Sequence, residues 1–243
     1  MCKLTGQYKC RGVDPAALQG TGARQAAFFD VDRTLIRGDS QELEARFFMK
    51  QYNPSMGYYL TMMLTMASIQ LNRLGWLSLI RQNEIYLRSY RGRTRGELNK
   101  LGAALFDEVI RRDFLDGALD ILEQHRRRGD LIVLVSATTR HLLLPFESFI
   151  EPDYIFCTDL EFDNSGRCTG KALDGICGQE KKEAVVRAFA RENHIDLSSS
   201  HAYSDHHSDI PFLSSVGHPA VINPTGQMSG YARKMGWPVH RFH

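Results

Sequence analysis

Two aspartates stand two residues apart directly after a short apolar run. The run Ala26-Ala27-Phe28-Phe29 ends at Asp30, and Asp32 follows after one valine. Side chains two apart in an extended chain point to the same side, so both carboxylates are expected to share one pocket. Close carboxylates repel unless a hard cation or a shared proton relieves them. The pair therefore favours an Mg²⁺ site that also accepts a phosphate oxygen, and a solvated turn is the alternative.

Two later motifs have residue types suited to binding phosphate. Ser136 and Ala137 follow the apolar run 131–135, where a hydroxyl and backbone N–H groups opening a helix would cradle an anion. An ordinary helix N-cap is the alternative. Lys181 and Lys182 lie at the start of another predicted helix, where a cation opposes the helix dipole and so suggests a task on phosphate. The Gly-x-x-Lys spacing from Gly178 favours Lys181.

A further acidic pair, Asp205 and Asp209, follows the apolar residues 202–203. These carboxylates are further oxygen donors of the kind that Mg²⁺ requires. His206 and His207 between them resemble zinc ligands, but no third soft ligand stands at a suitable spacing. We therefore expect the two histidines to be bystanders.

The elements that must position these groups are strands and helices in alternation. Apolar runs at 26–29, 131–135, 154–157, 202–203 and 221–222 each stop at polar residues. Such continuous runs are typical of strands buried on both faces of a parallel sheet. Helical periodicity between them, as over 118–128 and 181–193, predicts an α/β fold with a doubly wound, Rossmann-like sheet. The motifs would then meet at one edge of that sheet.

A long insert interrupts this alternation between the first two strands. Residues 40–112 have helical periodicity and are far too many for a normal strand-to-helix connection, which predicts an α-helical cap domain over the site. The remaining boundaries expected are a poorly ordered leader at 1–25, a core of 26–39 and 113–243, and a small β-hairpin insert at 159–177.

Composition excludes several classes of protein. The 243 residues carry a formal net charge of only +2, which gives no reason to expect a nucleic-acid partner. Five cysteines without a close Cys-x-x-Cys pair indicate neither a disulfide framework nor a zinc site, and favour a reduced, cytoplasmic compartment. The uncharged stretch 58–71 is shorter than the roughly 20 apolar residues of a membrane span. A buried helix is therefore favoured there over membrane contact.

The order Asp, Asp, Ser, Lys, Asp resembles the haloacid dehalogenase superfamily, and more narrowly its phosphoserine-phosphatase-like branch, subfamily IB. The similarity covers about residue 26 to the C-terminus, and Asn223-Pro224 and Gly236-Trp237-Pro238 fit the tail of that branch. Arg33 departs from the pattern, since the family usually has Gly at this position. We expect the change to reshape the loop or to touch the substrate rather than to abolish activity.

The resemblance implies a role for each residue. Asp30 would be the nucleophile and Asp32 the general acid and base. Mg²⁺ would be held by Asp30, the backbone carbonyl of Asp32, and Asp205, with Asp209 in support. The phosphoryl oxygens would be bound by Ser136, Ala137 and Lys181, and Thr34 would structure the loop.

These roles predict a Mg²⁺-dependent phosphatase that hydrolyses a small phosphorylated metabolite through an aspartyl-phosphate. A phosphotransferase using the same intermediate is one alternative, and a non-catalytic binding or regulatory member of the fold is another. The uncharged stretch 58–71 leaves a membrane-associated lipid-phosphate phosphatase as a third. The pattern specifies the reaction at phosphorus and leaves open which alcohol departs. Oligomeric state is left open as well.

Overall fold

The computed structural model of the protein describes residues 7–9, 24–51 and 56–242. In this part of the chain the strands are β1 Gln7–Lys9, β2 Ala26–Phe29, β3 Leu131–Thr139, β4 Tyr154–Thr158, β5 Leu160–Phe162, β6 Cys168–Ala172, β7 His201–Ser204, β8 His218–Ile222 and β9 Val239–His240. The helices are α1 Ser40–Gln51, α2 Met56–Arg73, α3 Leu79–Leu87, α4 Arg95–Glu108, α5 Asp116–Arg128, α6 Arg140–Leu143, α7 Phe146–Phe149, α8 Glu180–Glu192, α9 Ile210–Leu213 and α10 Gly226–Met235.

The main sheet has the strand order β1-β4-β3-β2-β7-β8-β9. All strands except β1 run parallel, and β1 pairs antiparallel with β4 at the edge. The chain winds outward from β2 in both directions, which confirms the predicted doubly wound α/β fold. The sequence predicted a poorly ordered leader over residues 1–25, but residues 7–9 form strand β1. Residues 1–6 and 10–23 lie outside the described residues.

Alternation along the buried strands builds a core on each face of the sheet. Ala27 and Phe29 of β2 belong to one apolar cluster, together with residues of α4 and α5. Ala26 and Phe28 belong to a second cluster, together with residues of α8 and α10. Since successive strand residues point to opposite faces, a continuous apolar run fills both clusters at once.

Helices α1 to α4 all lie between β2 and β3, in the insert that we call the cap (residues 40–112). Helix α4 packs on the core, where the Phe106 and Phe146 rings are 5.4 Å apart. It begins at a capping box in which Thr94 and Glu97 satisfy each other's backbone N–H groups. Helices α1 to α3 contribute the cap residues that face the candidate site. The exact limits of the cap and of the hairpin insert, in which β5 pairs antiparallel with β6, stay predictions.

Helix α2 buries two polar residues and exposes several apolar ones. Thr65 and Ser68 are buried, with Ile69 beside them. Among the side chains of α2 that the structure describes, the exposed large apolar ones are Leu60, Met63, Leu64 and Leu71. The predicted buried helix is therefore wrong for this face. None of the helices found in residues 24–51 and 56–242 combines the length and the apolar character needed to cross a bilayer.

Candidate active site

The carboxyl ends of three neighbouring strands open into one cavity of about 780 Å³ beneath the cap. Strand β2 lies between β3 and β7, and its last residue immediately precedes Asp30. The predicted site residues that line this cavity are Asp30, Asp32, Ser136, Ala137, Asp205 and Asp209, and Lys182 lines it as well. Topology therefore brings together groups that are up to 179 positions apart in the chain.

A buried lysine joins two of the aspartates at the floor of the cavity. The Lys182 ammonium donates to Asp30 Oδ1 and to Asp209 Oδ2, both at 2.7 Å. Ser204 also donates to Asp209 Oδ2 at 2.7 Å. The pKa of Asp30 is raised to about 6, chiefly by burial. The positive charge of Lys182 lowers this pKa, and the negative charge of Asp209 raises it further. Burial alone would lower the pKa of Lys182, but Asp209 and Asp30 together raise it above its ordinary value.

The sequence favoured Lys181 as the lysine that binds phosphate, but the structure places Lys182 in the cavity instead. Lys181 is half-buried, and its ammonium donates to the backbone carbonyls of Asp174 and Gly175, the latter at 3.0 Å. Lys182 is 3% exposed and shares its helix face with Val185, Val186 and Phe189, which are also buried. The apolar i+3, i+4 and i+7 pattern from residue 182 is the sequence signal that could have identified the correct lysine.

Asp32 is held away from the lysine by a separate set of hydroxyl and amide donors. Ser40 donates its backbone N–H to Oδ1 at 2.8 Å and its hydroxyl to Oδ2 at 3.1 Å. The Thr138 hydroxyl donates to the same Oδ2 at 2.9 Å. Burial, followed by the charges of Asp39 and Asp30, raises the pKa of Asp32 to about 7. This carboxyl therefore exchanges protons near neutral pH, unlike an ordinary aspartate.

The loop after β2 folds tightly around its own backbone. Leu35 N–H donates to Val31 O at 2.9 Å, and the Thr34 hydroxyl lies 3.5 Å from Asp30 Oδ2. Arg33 has a φ of +58°, in the left-handed region that glycine enters most easily. The loop thus keeps a conformation suited to glycine although arginine occupies it. The Arg33 side chain turns toward Asp39, with an N–O distance of 4.0 Å.

Ser136 and Ala137 line the cavity, but they do not open a helix as the sequence suggested. Strand β3 continues to Thr139 with a register irregularity after Val135, and the short α6 begins only at Arg140. Thr138 N–H donates to Ser136 Oγ at 3.1 Å. The prediction that a helix dipole attracts an anion at Ser136 is therefore wrong. An anion bound there would lie at the irregular end of strand β3.

The donor set of the cavity fits a hard divalent cation. The Asp205 carboxyl is 4% exposed and has no hydrogen bond or ion pair with any other residue in the described ranges. Burial, followed by the charge of Asp30, raises its pKa well above the ordinary value. A buried carboxylate without a partner is unfavourable, and oxygen donors are the ligands that Mg²⁺ prefers. Asp30 and Asp205 line the same cavity, so the residues can share an ion.

The histidines near this edge have other partners. His206 Nδ1 and the Ser208 hydroxyl are 2.8 Å apart, and the His206 and His207 rings are 4.1 Å apart. In the described ranges, His125, Asp130 and His201 form a cluster that could hold a metal ion, with ligand atoms within 4.8 Å of one another. His201 begins β7, so this group lies at the opposite edge of the sheet.

The chain matches the haloacid dehalogenase-like hydrolase family over residues 27–214. It is 30% identical to the phosphoserine phosphatase SerB1 of Mycobacterium tuberculosis over 228 residues, covering 89% of this chain and 70% of that protein. A Bordetella pertussis Tohama I protein of unknown function has a similar structure, with a TM-score of 0.77 at 25% identity, covering 90% of this chain and 99% of that one. A substrate-bound phosphoserine phosphatase superposes with a TM-score of 0.66 at 15% identity over 90% of this chain and 93% of that one.

Fold and relatives together define a phosphatase-like hydrolase. The chain belongs to the haloacid dehalogenase-like hydrolases, and its solved structural neighbours include phosphoserine phosphatases. The resemblance stated from the sequence is thereby confirmed.

Proposed function

We propose that the protein is a Mg²⁺-dependent phosphatase that hydrolyses a small phosphate monoester through an aspartyl-phosphate on Asp30. The observation that carries this proposal is the Asp30 carboxylate at the cavity floor, fixed on one oxygen by Lys182 at 2.7 Å. Its other oxygen lies 3.5 Å from the Thr34 hydroxyl. A carboxylate held in one orientation at the end of a strand is suited to in-line attack on phosphorus.

Asp32 supplies the proton that the departing alcohol needs. Its pKa of about 7 leaves a substantial protonated fraction near neutral pH. As Asp30 attacks phosphorus, the ester oxygen–phosphorus bond breaks and Asp32 protonates that oxygen. Asp32, now a carboxylate, takes a proton from the water that cleaves the aspartyl-phosphate and releases inorganic phosphate. The donors Ser40 and Thr138 hold this carboxyl in place for both steps.

The negative charge of the phosphoryl group is balanced by groups around the same cavity. Lys182 is the buried cation at the floor, and Ser136 with the backbone at Ala137 lines the wall beside it. Mg²⁺ would be held by Asp30, the backbone carbonyl of Asp32 and Asp205, with Asp209 in support, and would shield Asp30 from the phosphate charge. Asp209 also orients Lys182 through its 2.7 Å contact.

The substrate class is a small phosphorylated metabolite, with phosphoserine as the first candidate because SerB1 carries that name. Nucleic acid is not expected as a partner, given the net charge of +2. Cys168 and Cys177 are free thiols, which supports a reduced, cytoplasmic compartment.

The test is phosphate release from a panel of phosphorylated metabolites with Mg²⁺, before and after treatment with EDTA. Asp30→Asn is expected to lower kcat by about 10³-fold or more on the best substrate, since it removes the nucleophile. Asp120→Asn makes the same change at an exposed position and is expected to match the parent enzyme. EDTA is expected to abolish activity, and added Mg²⁺ to restore it.

Parent-like activity of Asp30→Asn would disprove the mechanism. Full activity in EDTA would disprove the role of the metal. Phosphate released in smaller amount than substrate consumed would favour phosphotransfer over hydrolysis.

A further inference from the structure

Three side chains with metal-ligating atoms meet at the amino edge of the sheet, away from the candidate active site. They are His125 in the last turn of α5, Asp130 just before β3 and His201 at the start of β7. One ligand atom from each lies within 4.8 Å of the other two. Ligands of a tetrahedral Zn²⁺ ion lie about 3.4 Å apart, given bonds of about 2.0–2.1 Å. A small contraction therefore brings all three side chains onto one ion.

His201 has a ring nitrogen that the protein leaves without a partner. Its Nδ1 atom is buried and has no hydrogen bond to any residue in the described ranges. The His201 ring lies 4.6 Å from the ring of His125. A buried polar atom without a partner is unfavourable, and an ion bound at this nitrogen removes that cost. The unpaired nitrogen points to a ligand independently of the clustering.

His125 has the two partners that a metal-ligating histidine needs. Its Nδ1 lies 2.7 Å from Asp130 Oδ2, and its Nε2 lies 2.8 Å from the Tyr203 hydroxyl. A tyrosine hydroxyl accepts a hydrogen bond as readily as it donates one. With the ring proton on Nε2, His125 donates to Tyr203 and turns the Nδ1 lone pair toward the carboxylate. Metal-ligating histidines usually donate their other N–H to such a partner, which fixes the ring.

Both histidines of the cluster are neutral near pH 7, and neutral imidazole is the form that binds metals. Burial lowers the pKa of His125, although Asp130 acts to raise it. Burial, followed by the charges of His125 and His218, lowers the pKa of His201 to about 4. Zn²⁺ accepts imidazole nitrogen together with carboxylate oxygen, whereas Mg²⁺ prefers oxygen donors. The cluster and the catalytic cavity therefore select different metals.

We propose that His125, Asp130 and His201 bind a Zn²⁺ ion, with water in the remaining position, that ties α5 and the start of β3 to β7. The ion stabilises the fold and takes no part in phosphate transfer. It lies apart from the proposed Mg²⁺ site because β7 begins at His201 and ends just before Asp205. The alternative is a hydrogen-bonded chain from Asp130 through His125 to Tyr203 that has no affinity for metal.

The first test is calorimetric titration of the full-length protein with Zn²⁺ in excess Mg²⁺, which competes for the catalytic cavity. One ion per chain is expected to bind with a Kd of about 1 µM or below. His201→Asn and Asp130→Asn are each expected to weaken this binding at least about 100-fold, because loss of an outer hydrogen bond alone costs about 10- to 100-fold. His194→Asn is the matched control and is expected to bind like the parent. It removes an exposed histidine outside the cluster, at a φ of +54° that asparagine tolerates.

Two further readouts separate a metal site from a hydrogen-bonded chain. Zn²⁺ at about 100 times its Kd is expected to raise the Tm of the parent by about 4 °C or more, and to leave that of His201→Asn unchanged. Co²⁺ is expected to give the parent the strong visible absorption of a four-coordinate site, which an octahedral oxygen site does not show. Circular dichroism without Zn²⁺ shows which variants are folded, and Asp130→Asn decides the test if His201→Asn is not.

Three results would overturn the zinc site. One is a folded parent that binds no Zn²⁺, and another is an equal Kd for the parent and the folded cluster variants. The third is Zn²⁺ binding that excess Mg²⁺ abolishes, because it assigns the ion to the catalytic cavity. Each of these leaves the proposed phosphatase intact, since that function is tested separately by phosphate release with Mg²⁺.

Discussion

Adjacent lysines at the start of α8 provide a sharp test of the site, because they differ in position and not in type. Lys182 bridges Asp30 and Asp209 at 2.7 Å to each, whereas Lys181 reaches only backbone carbonyls at the surface. We therefore compare Lys182→Met with Lys181→Met. Methionine keeps the length and flexibility of the side chain and removes its charge, so the two variants differ only in what the ammonium was contacting.

The expected size of the effect follows from the two ion pairs. Removing one partner of a buried ion pair costs about 3–5 kcal/mol when the remaining charge stays buried. Asp30 already has a pKa of about 6 with Lys182 present, so without it the carboxyl will take up a proton at pH 7 and relieve part of this cost. We expect Lys182→Met to lose about 2–4 kcal/mol of unfolding free energy at pH 7, and less at lower pH.

Activity should fall more steeply than stability. A protonated Asp30 is a poor nucleophile, and one positive charge facing the phosphoryl group is absent. Loss of a single preorganised group of this kind costs about 10²- to 10³-fold in kcat. For Lys181→Met we expect kcat/KM within about twofold of the parent and stability within about 0.5 kcal/mol, as for other exposed substitutions.

The measurements are urea unfolding followed by circular dichroism, and phosphate release under conditions where both variants are more than nine-tenths folded. A folded Lys182→Met with kcat/KM close to the parent value would refute the assignment of this lysine. A loss in Lys181→Met as large as that in Lys182→Met would refute the structural distinction between the two.

Two further predictions concern stability. Glu44 is buried and accepts a hydrogen bond from Tyr90 at 2.6 Å. Burial raises the pKa of Glu44 to about 7, although its hydrogen bonds act to lower it. Since this folded-state pKa exceeds the ordinary 4.5, the stabilisation is full below pH 4.5 and is lost as pH rises through about 7. Between about pH 5 and 8 the parent should lose about 2–3 kcal/mol more unfolding free energy than Glu44→Gln, and parallel pH profiles would contradict this. Gly102→Ala should cost about 2–4 kcal/mol, because its Cβ would overlap the backbone oxygen of His141. Gly96→Ala, in the same helix with nothing within 4 Å, should instead add up to about 1 kcal/mol, and equal unfolding midpoints would refute the proposed overlap.

Much of the core and part of the site could be predicted because they depend on local pattern. An apolar run such as 26–29 is typical of a strand buried on both faces of a parallel sheet. The polar residue that follows the run then lies at the carboxyl edge of the sheet. Asp30 and Asp205 follow two such strands, and both line the cavity at that edge. Their catalytic and metal-binding roles stay predictions until the variants are measured.

The error in the choice of lysine comes from orientation about the axis of α8. Residues 181 and 182 are separated by about 100° around a helix, and the packing of Val185 and Phe189 on the sheet decides which lysine enters the cavity. Strand β3 runs on past Ser136 because its partner β4 continues to pair as far as Thr158, and no pattern near Ser136 records this.

Sequence by itself determined the buried strands β2, β3, β4, β7 and β8, the helices α5 and α8, and the positions of the acidic groups at strand ends, since these follow from short-range periodicity. Tertiary structure alone decided which lysine meets Asp30 and which side of α2 faces water. It also decided that Glu44 and Tyr90 meet in the interior. Each of these depends on contacts between segments distant in the chain, whose relative rotation is set by packing and not by the residues of any one segment.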